Sequence, residues 1–222
     1  MNYQNIIDKY YGKEESAVCG GRLLDSVLSD FRHGRKSAVC GGRLLDNVLS
    51  NSRYKKRESS LKTILLRHSR AVADRALMIA EAHPEMNLDR QFVEEAAMLH
   101  DIGIFLCDAP GIACYGTYPY ICHGWLGAEL LRKEGYPLHA RICERHTGAG
   151  LTKKDISGRN LPLPNQDFLP ETLTEQLICY ADKFYSKSHL DVEKTYEQAE
   201  RSLAKFGEEG VVRFRTWRKL FE

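Results

Sequence analysis

No stretch of this 222-residue chain approaches the roughly twenty consecutive apolar residues of a membrane span, which argues against a transmembrane helix. The opening, MNYQNIIDKYYGKEE, is too polar and acidic for a secretory signal, so a cytoplasmic protein with no membrane partner is expected. A disulfide framework is also missing. The seven cysteines are odd in number and unpaired in spacing, which suggests reduced thiols. Nor does one sign of charge dominate. The net charge is +2, so no nucleic-acid partner is expected. No segment shows convincing period-two alternation, and no strand is predicted. What is present is ordinary: 43% hydrophobic and 28% charged residues, enough for one substantial core.

One region stands apart. SAVCGGRLLDSVLSDFRHGRK (16–36) is followed at once by SAVCGGRLLDNVLSNSRYKKR (37–57), with 14 of 21 positions identical. Apolar residues fall at helical spacing in both copies (Leu24, Val27, Leu28 and Phe31, then Leu45, Val48 and Leu49), so each copy is read as a short amphipathic helix. Nine Lys/Arg against three Asp give the repeat +6, leaving −4 for the remainder of the chain. A duplicated insertion is the reading adopted, with a basic docking face for a partner as the alternative. Residues 1–60 then form an N-terminal segment and 61–222 the functional domain.

From residue 61 helical signals are dense, and the fold class expected is all-α. SLKTILLRHSRAVADRALMIAEAH is a helix stopped by Pro84, with Ile64, His68, Val72 and Ile79 on one face. Asp89 caps a second helix, RQFVEEAAMLHD, which Gly103 closes. A Gly/Pro-rich loop over 107–122 leads to HGWLGAELLRKEG. PLHARICERHTG and ETLTEQLICYADKFYSK follow, and two further helices are expected near 191–206 and 208–221.

Within this frame, AAMLHDIGIF (96–105) sets an imidazole and a carboxylate side by side in a core-forming segment. A buried carboxylate needs a partner. His33, His83, His139 and His189 sit in polar or terminal positions and are read as bland. His68, His100, Asp101, His123, His146 and Asp182 instead fall on inward faces or ends of five successive helices. Imidazoles and carboxylates suit divalent transition metals, and facing helices can build a dinuclear site.

The order His … His-Asp … His … His … Asp, centred on HDIG and joined to HGWLGAELL, ICERHTG and YADKF, resembles the HD-domain superfamily of metal-dependent phosphohydrolases over about residues 61–190. The resemblance implies that His68, His100, Asp101 and Asp182 hold one metal. Asp101 would bridge to a second, held by His123 and His146. It implies hydrolysis of a phosphoester or phosphoanhydride in a nucleotide-like substrate by a metal-bridging hydroxide. The cofactors would be two divalent ions from among Fe, Mn, Co, Ni and Zn.

The sequence departs from two branches of that superfamily. Ile104 stands where the cyclic-di-GMP phosphodiesterases have lysine, and GYP at 135–137 precedes His146 rather than following the later histidines. Guanosine tetraphosphate hydrolases keep only the four-ligand set. Other readings remain open: a di-iron oxygenase with the same six ligands, a non-catalytic nucleotide sensor, or a zinc site at Cys107, Cys114, Cys122 and His123. Lys183 and Arg145, each next to a ligand, are candidate phosphate contacts. The loop 107–122 is a candidate specificity lid.

Overall fold

The computed structural model describes residues 1–12, 52–205 and 207–222. Most of the repeat, and the two helices expected in it, lie outside the described residues. Its last six residues, 52–57, begin a helix that continues through 60 without a break.

Nine α-helices occur among the described residues: α1 (Tyr3–Tyr11), α2 (Ser52–Ala82), α3 (Arg90–Leu99), α4 (His123–Lys133), α5 (Pro137–Arg145), α6 (Lys153–Gly158), α7 (Leu173–Asp182), α8 (Tyr196–Ala204) and α9 (Glu208–Phe221). The all-α expectation holds. Helix α2 stops before Pro84 and buries Leu61, Leu65, His68, Val72, Ala76 and Ile79 at three- and four-residue spacing. It packs on α3 and α7, while α4 and α5 form a closely packed pair beside them. Phe214 of α9 and Tyr180 of α7, with ring centroids 5.0 Å apart, close the C-terminal side of the core. Helix α1 places Ile6 and Ile7 in the same core, and its Tyr11 hydroxyl donates to the Ile102 carbonyl at 3.0 Å.

The starts of the helices follow the local chemistry. Asp89 accepts from the Phe92 amide at 3.1 Å. Thr152 with Asp155, Thr172 with Glu175, and Thr195 with Gln198 form reciprocal capping boxes. The end of α3 differs from expectation. It finishes at Leu99, and His100 to Gly103 form a turn. Gly103 has φ −85°, so it is no left-handed cap. It is small for another reason: a Cβ there would collide with the His123 carbonyl and the Gly127 amide of α4. Gly124 and Gly127 likewise bring α4 against Cys143 of α5.

The loop 107–122 is more ordered than expected. Strands β1 (Cys107–Ala109), β2 (Cys114–Tyr115) and β3 (Tyr118–Pro119) form a small sheet in the order β2-β1-β3. β1 runs antiparallel to β2 and parallel to β3. Strands of two or three residues are too short to show alternation in sequence. A 3-10 turn, Tyr120–Cys122, then delivers the chain into α4 at His123.

Candidate metal centre

Five elements deliver six side chains to one buried point: His68 from the middle of α2, His100 and Asp101 from the turn after α3, His123 from the first position of α4, His146 just after α5, and Asp182 from the last position of α7. Asp101 is fully buried and lies at the middle. Its Oδ2 is 3.1 Å from Nε2 of His68 and 3.0 Å from Nε2 of His100. Oδ1 faces the other way, 3.3 Å from Nε2 of His123 and 3.4 Å from Nε2 of His146. Asp182 Oδ1 completes the first group, 3.0 Å from His68 and 3.5 Å from His100. Two potential ligand sets result, His68/His100/Asp101/Asp182 and Asp101/His123/His146, sharing Asp101.

Three of the four imidazoles are oriented in the same way. The Nδ1–H of His100 donates to the carbonyl of Ala97 at 2.6 Å, that of His123 to Tyr120 at 2.6 Å, and that of His146 to Cys143 at 2.7 Å. Each bond reaches back three residues and fixes the tautomer, leaving Nε2 as the lone-pair nitrogen aimed inward. In this tautomer the Nε2 atoms of His123 and His146, 3.0 Å apart, present lone pairs to each other and to Asp101 Oδ1. A cation between them makes that arrangement favourable. A proton is a poor candidate, because burial, reinforced by His146, pushes His123 down to about 3.

In the first group, Nε2 of His68 and of His100 are buried without a hydrogen-bond partner, and so is Oδ1 of Asp101 on the side of the second. Donor atoms about 2.0–2.2 Å from a common tetrahedral metal lie roughly 3.3–3.6 Å from one another. The separations around Asp101 and Asp182 run from 3.0 to 3.5 Å, three of them somewhat below that range, close enough for all the donors to reach one ion. The residues therefore fit a divalent metal. Burial works against charge on His100, but Asp101 and Asp182 outweigh it and raise the imidazole to about 9, so Nε2 carries a proton that a bound metal would replace. Asp101 is held well below the usual carboxylate range, burial being overcome by His100 and Lys187.

The two tentative phosphate contacts part company. Lys183 lies at the centre, its ammonium 2.7 Å from Asp182 Oδ2 and 3.4 Å from the His146 carbonyl. Arg145 turns elsewhere, donating to the Leu169 carbonyl at 2.5 Å and to Glu171 at 2.9 Å. The zinc alternative does not assemble. The thiols of Cys107, Cys114 and Cys122 point at the carbonyls of Gly103, Ile112 and Pro162, and His123 belongs to the Asp101 cluster. Of the bland histidines, His83 and His189 have polar partners near the surface, and His33 lies outside the described residues. His139 is instead buried, 3.4 Å from Glu95.

Sequence reasoning missed Lys187, whose ammonium is 2.5 Å from Asp101 Oδ2 in an ion-pair contact. It also missed Tyr120, whose ring stacks on His123 with centroids 4.6 Å apart. The expected helix ran to Lys187, but α7 ends at Asp182, so Lys187 stands outside the helical periodicity that the sequence reading applied to it.

These observations define a class, an all-α protein with a buried His/Asp centre compatible with divalent metal. The family model described as HD domain matches residues 65–186, and the chain belongs to that family. Among its relatives, a tRNA (cytidine(56)-2'-O)-methyltransferase of Picrophilus torridus is 34% identical over 128 residues, covering 57% of this chain and 33% of that protein. A methyltransferase of the same name from Thermoplasma volcanium is 32% identical over 123 residues, 55% of this chain and 32% of that one. An uncharacterized protein of Methanocaldococcus jannaschii is 32% identical over 145 residues, 64% of this chain and 78% of that one. The chain thus spans about a third of the length of the two methyltransferases it matches. No solved structure matches significantly. Among the described residues, no helix is long and apolar enough to cross a membrane.

Proposed function

We propose that the protein is a metal-dependent phosphohydrolase that cleaves a phosphoester or phosphoanhydride bond in a nucleotide-like substrate, using two divalent ions. One observation carries this reading: the two oxygens of a single buried carboxylate, Asp101, face two separate pairs of imidazole nitrogens. His68, His100, Asp101 and Asp182 would hold one ion, and Asp101, His123 and His146 the other. When bound, such ions supply an activated water and a Lewis-acidic clamp for phosphoryl oxygens. The chain's own groups then bind and orient. The backbone carbonyls of Ala97, Tyr120 and Cys143 hold three imidazoles in their ligating tautomer, and the Lys183 ammonium holds Asp182 by its outer oxygen.

Membership in the HD domain family supports hydrolysis. The methyltransferase names describe proteins about three times the aligned length, so they lend this chain no methyl-transfer activity. Metal analysis of protein purified without chelators tests the site directly. Two ions per chain are expected. A single ion in fully loaded, folded protein would leave only the four-ligand site and sink the two-ion version.

A further inference from the structure

Two lysines reach the centre, and they meet their carboxylates differently. Lys183 contacts Asp182 through Oδ2, while Oδ1 of that residue faces His68 and His100. A cation can therefore enter beside Oδ1 with Lys183 in place. Lys187 contacts Asp101 through Oδ2, the same oxygen that lies 3.1 and 3.0 Å from Nε2 of His68 and His100. Its ammonium holds the oxygen that a metal in the first site needs. Two cations sharing one carboxylate oxygen in a buried site repel strongly. A second resting place is close by, because the Tyr120 hydroxyl also interacts with Lys187 and its ring stacks on His123. The side chain of Lys187 is only 12% exposed, so an ammonium displaced from Oδ2 stays beside the centre.

We propose that Lys187 is a substrate-binding residue held in reserve: its ammonium occupies Asp101 Oδ2 until a divalent cation takes that oxygen, then turns to an anionic oxygen of the substrate. The second half rests on the phosphohydrolase reading; the first half does not. Lysine suits the role as a point charge on a flexible stem that can exchange a carboxylate for a phosphoryl oxygen.

The test titrates Mn²⁺ alone into chelator-treated full-length protein, and then inorganic phosphate into the manganese-loaded form. Lys187→Met should bind manganese about tenfold more tightly than wild type, since a competing charged contact has been removed. It should bind phosphate about tenfold more weakly. Lys187→Arg should stay near wild type in both. Lys183→Met should not tighten manganese binding, because Lys183 does not contest the inner oxygen. If Lys187→Met fails to fold without metal, Lys187→Gln, neutral but still a donor, carries the same expectations. Manganese affinity unchanged or weakened in the neutral variants overturns the proposal. Unchanged phosphate affinity overturns its substrate half. Neither readout involves turnover, so the two failures are distinguishable. The expected shifts in a protein that hydrolyses no phosphate ester would sink the hydrolase and leave the metal competition standing.

Discussion

At the scale of single residues, Asp101 concentrates the site's chemistry. A carboxylate buried in a helical core is costly unless cations compensate it, and this one has imidazole nitrogens or a lysine at both oxygens. Asp101→Asn keeps the size of the side chain and removes the shared charge. It should lose both ions in metal analysis, with activity falling to background. His123→Ala should empty chiefly the second set and leave close to one ion per chain, since His68, His100 and Asp182 remain. Equal loss of both ions in His123→Ala would mean the two sets do not fill separately. The six side chains that the structure brings together were legible in the sequence, because the order of the HD-type motifs coincides with inward helix faces and helix ends. Lys187 was not. It lies past the end of α7, and its approach to Asp101 is set by tertiary packing, 86 positions along the chain.

At the scale of elements, the glycines of HDIG and HGWLG explain how the second half-site is placed. Gly103 lets the turn bearing Asp101 sit against the first turn of α4, where His123 begins the helix. Gly103→Ala would push a methyl group into the backbone of His123 and Gly127. It should cost about 1–3 kcal/mol in denaturant unfolding. It should also weaken the second metal more than the first, because α4 must move relative to Asp101. Equal weakening of both would show that the turn distorts instead. The sequence suggested a capping role for this glycine; only the approach of α4 reveals the steric one. The same limit applied to the sheet over 107–119 and to α1, whose fit to the core depends on residues distant in sequence. Helices α2, α4 and α5 were legible because period and stop signals agree, with Pro84 beyond α2 and Pro137 opening α5.

At the scale of the whole molecule, acid should weaken the fold through a buried histidine that is not among the proposed ligands. His139 is buried between the rings of Phe92 and Tyr136 and beside Glu95. Burial lowers its imidazole despite the attraction of Glu95. Its unfolded value is about 6.5, so above that pH it is neutral in both states and its contribution is constant. As pH falls below about 6.5, the unfolded chain takes up a proton that the folded chain resists, and stability declines. Glu95 is held low by Gln91, the N-terminal amine and His139, which together overcome burial. Its contribution is full above about pH 4.5 and is lost as pH falls through its lower folded value. The difference in unfolding free energy between wild type and His139→Leu should therefore shift in favour of the variant between pH 7.5 and 5.5. A pH-independent difference would contradict this assignment. The central claim concerns the reaction. Its most direct measurement is anaerobic phosphate release by the manganese-loaded protein across a panel of nucleotides and phosphate esters. The site predicts release without oxygen, abolished by Asp101→Asn. Turnover that strictly requires iron and oxygen, with no phosphate released by the manganese form, would contradict it.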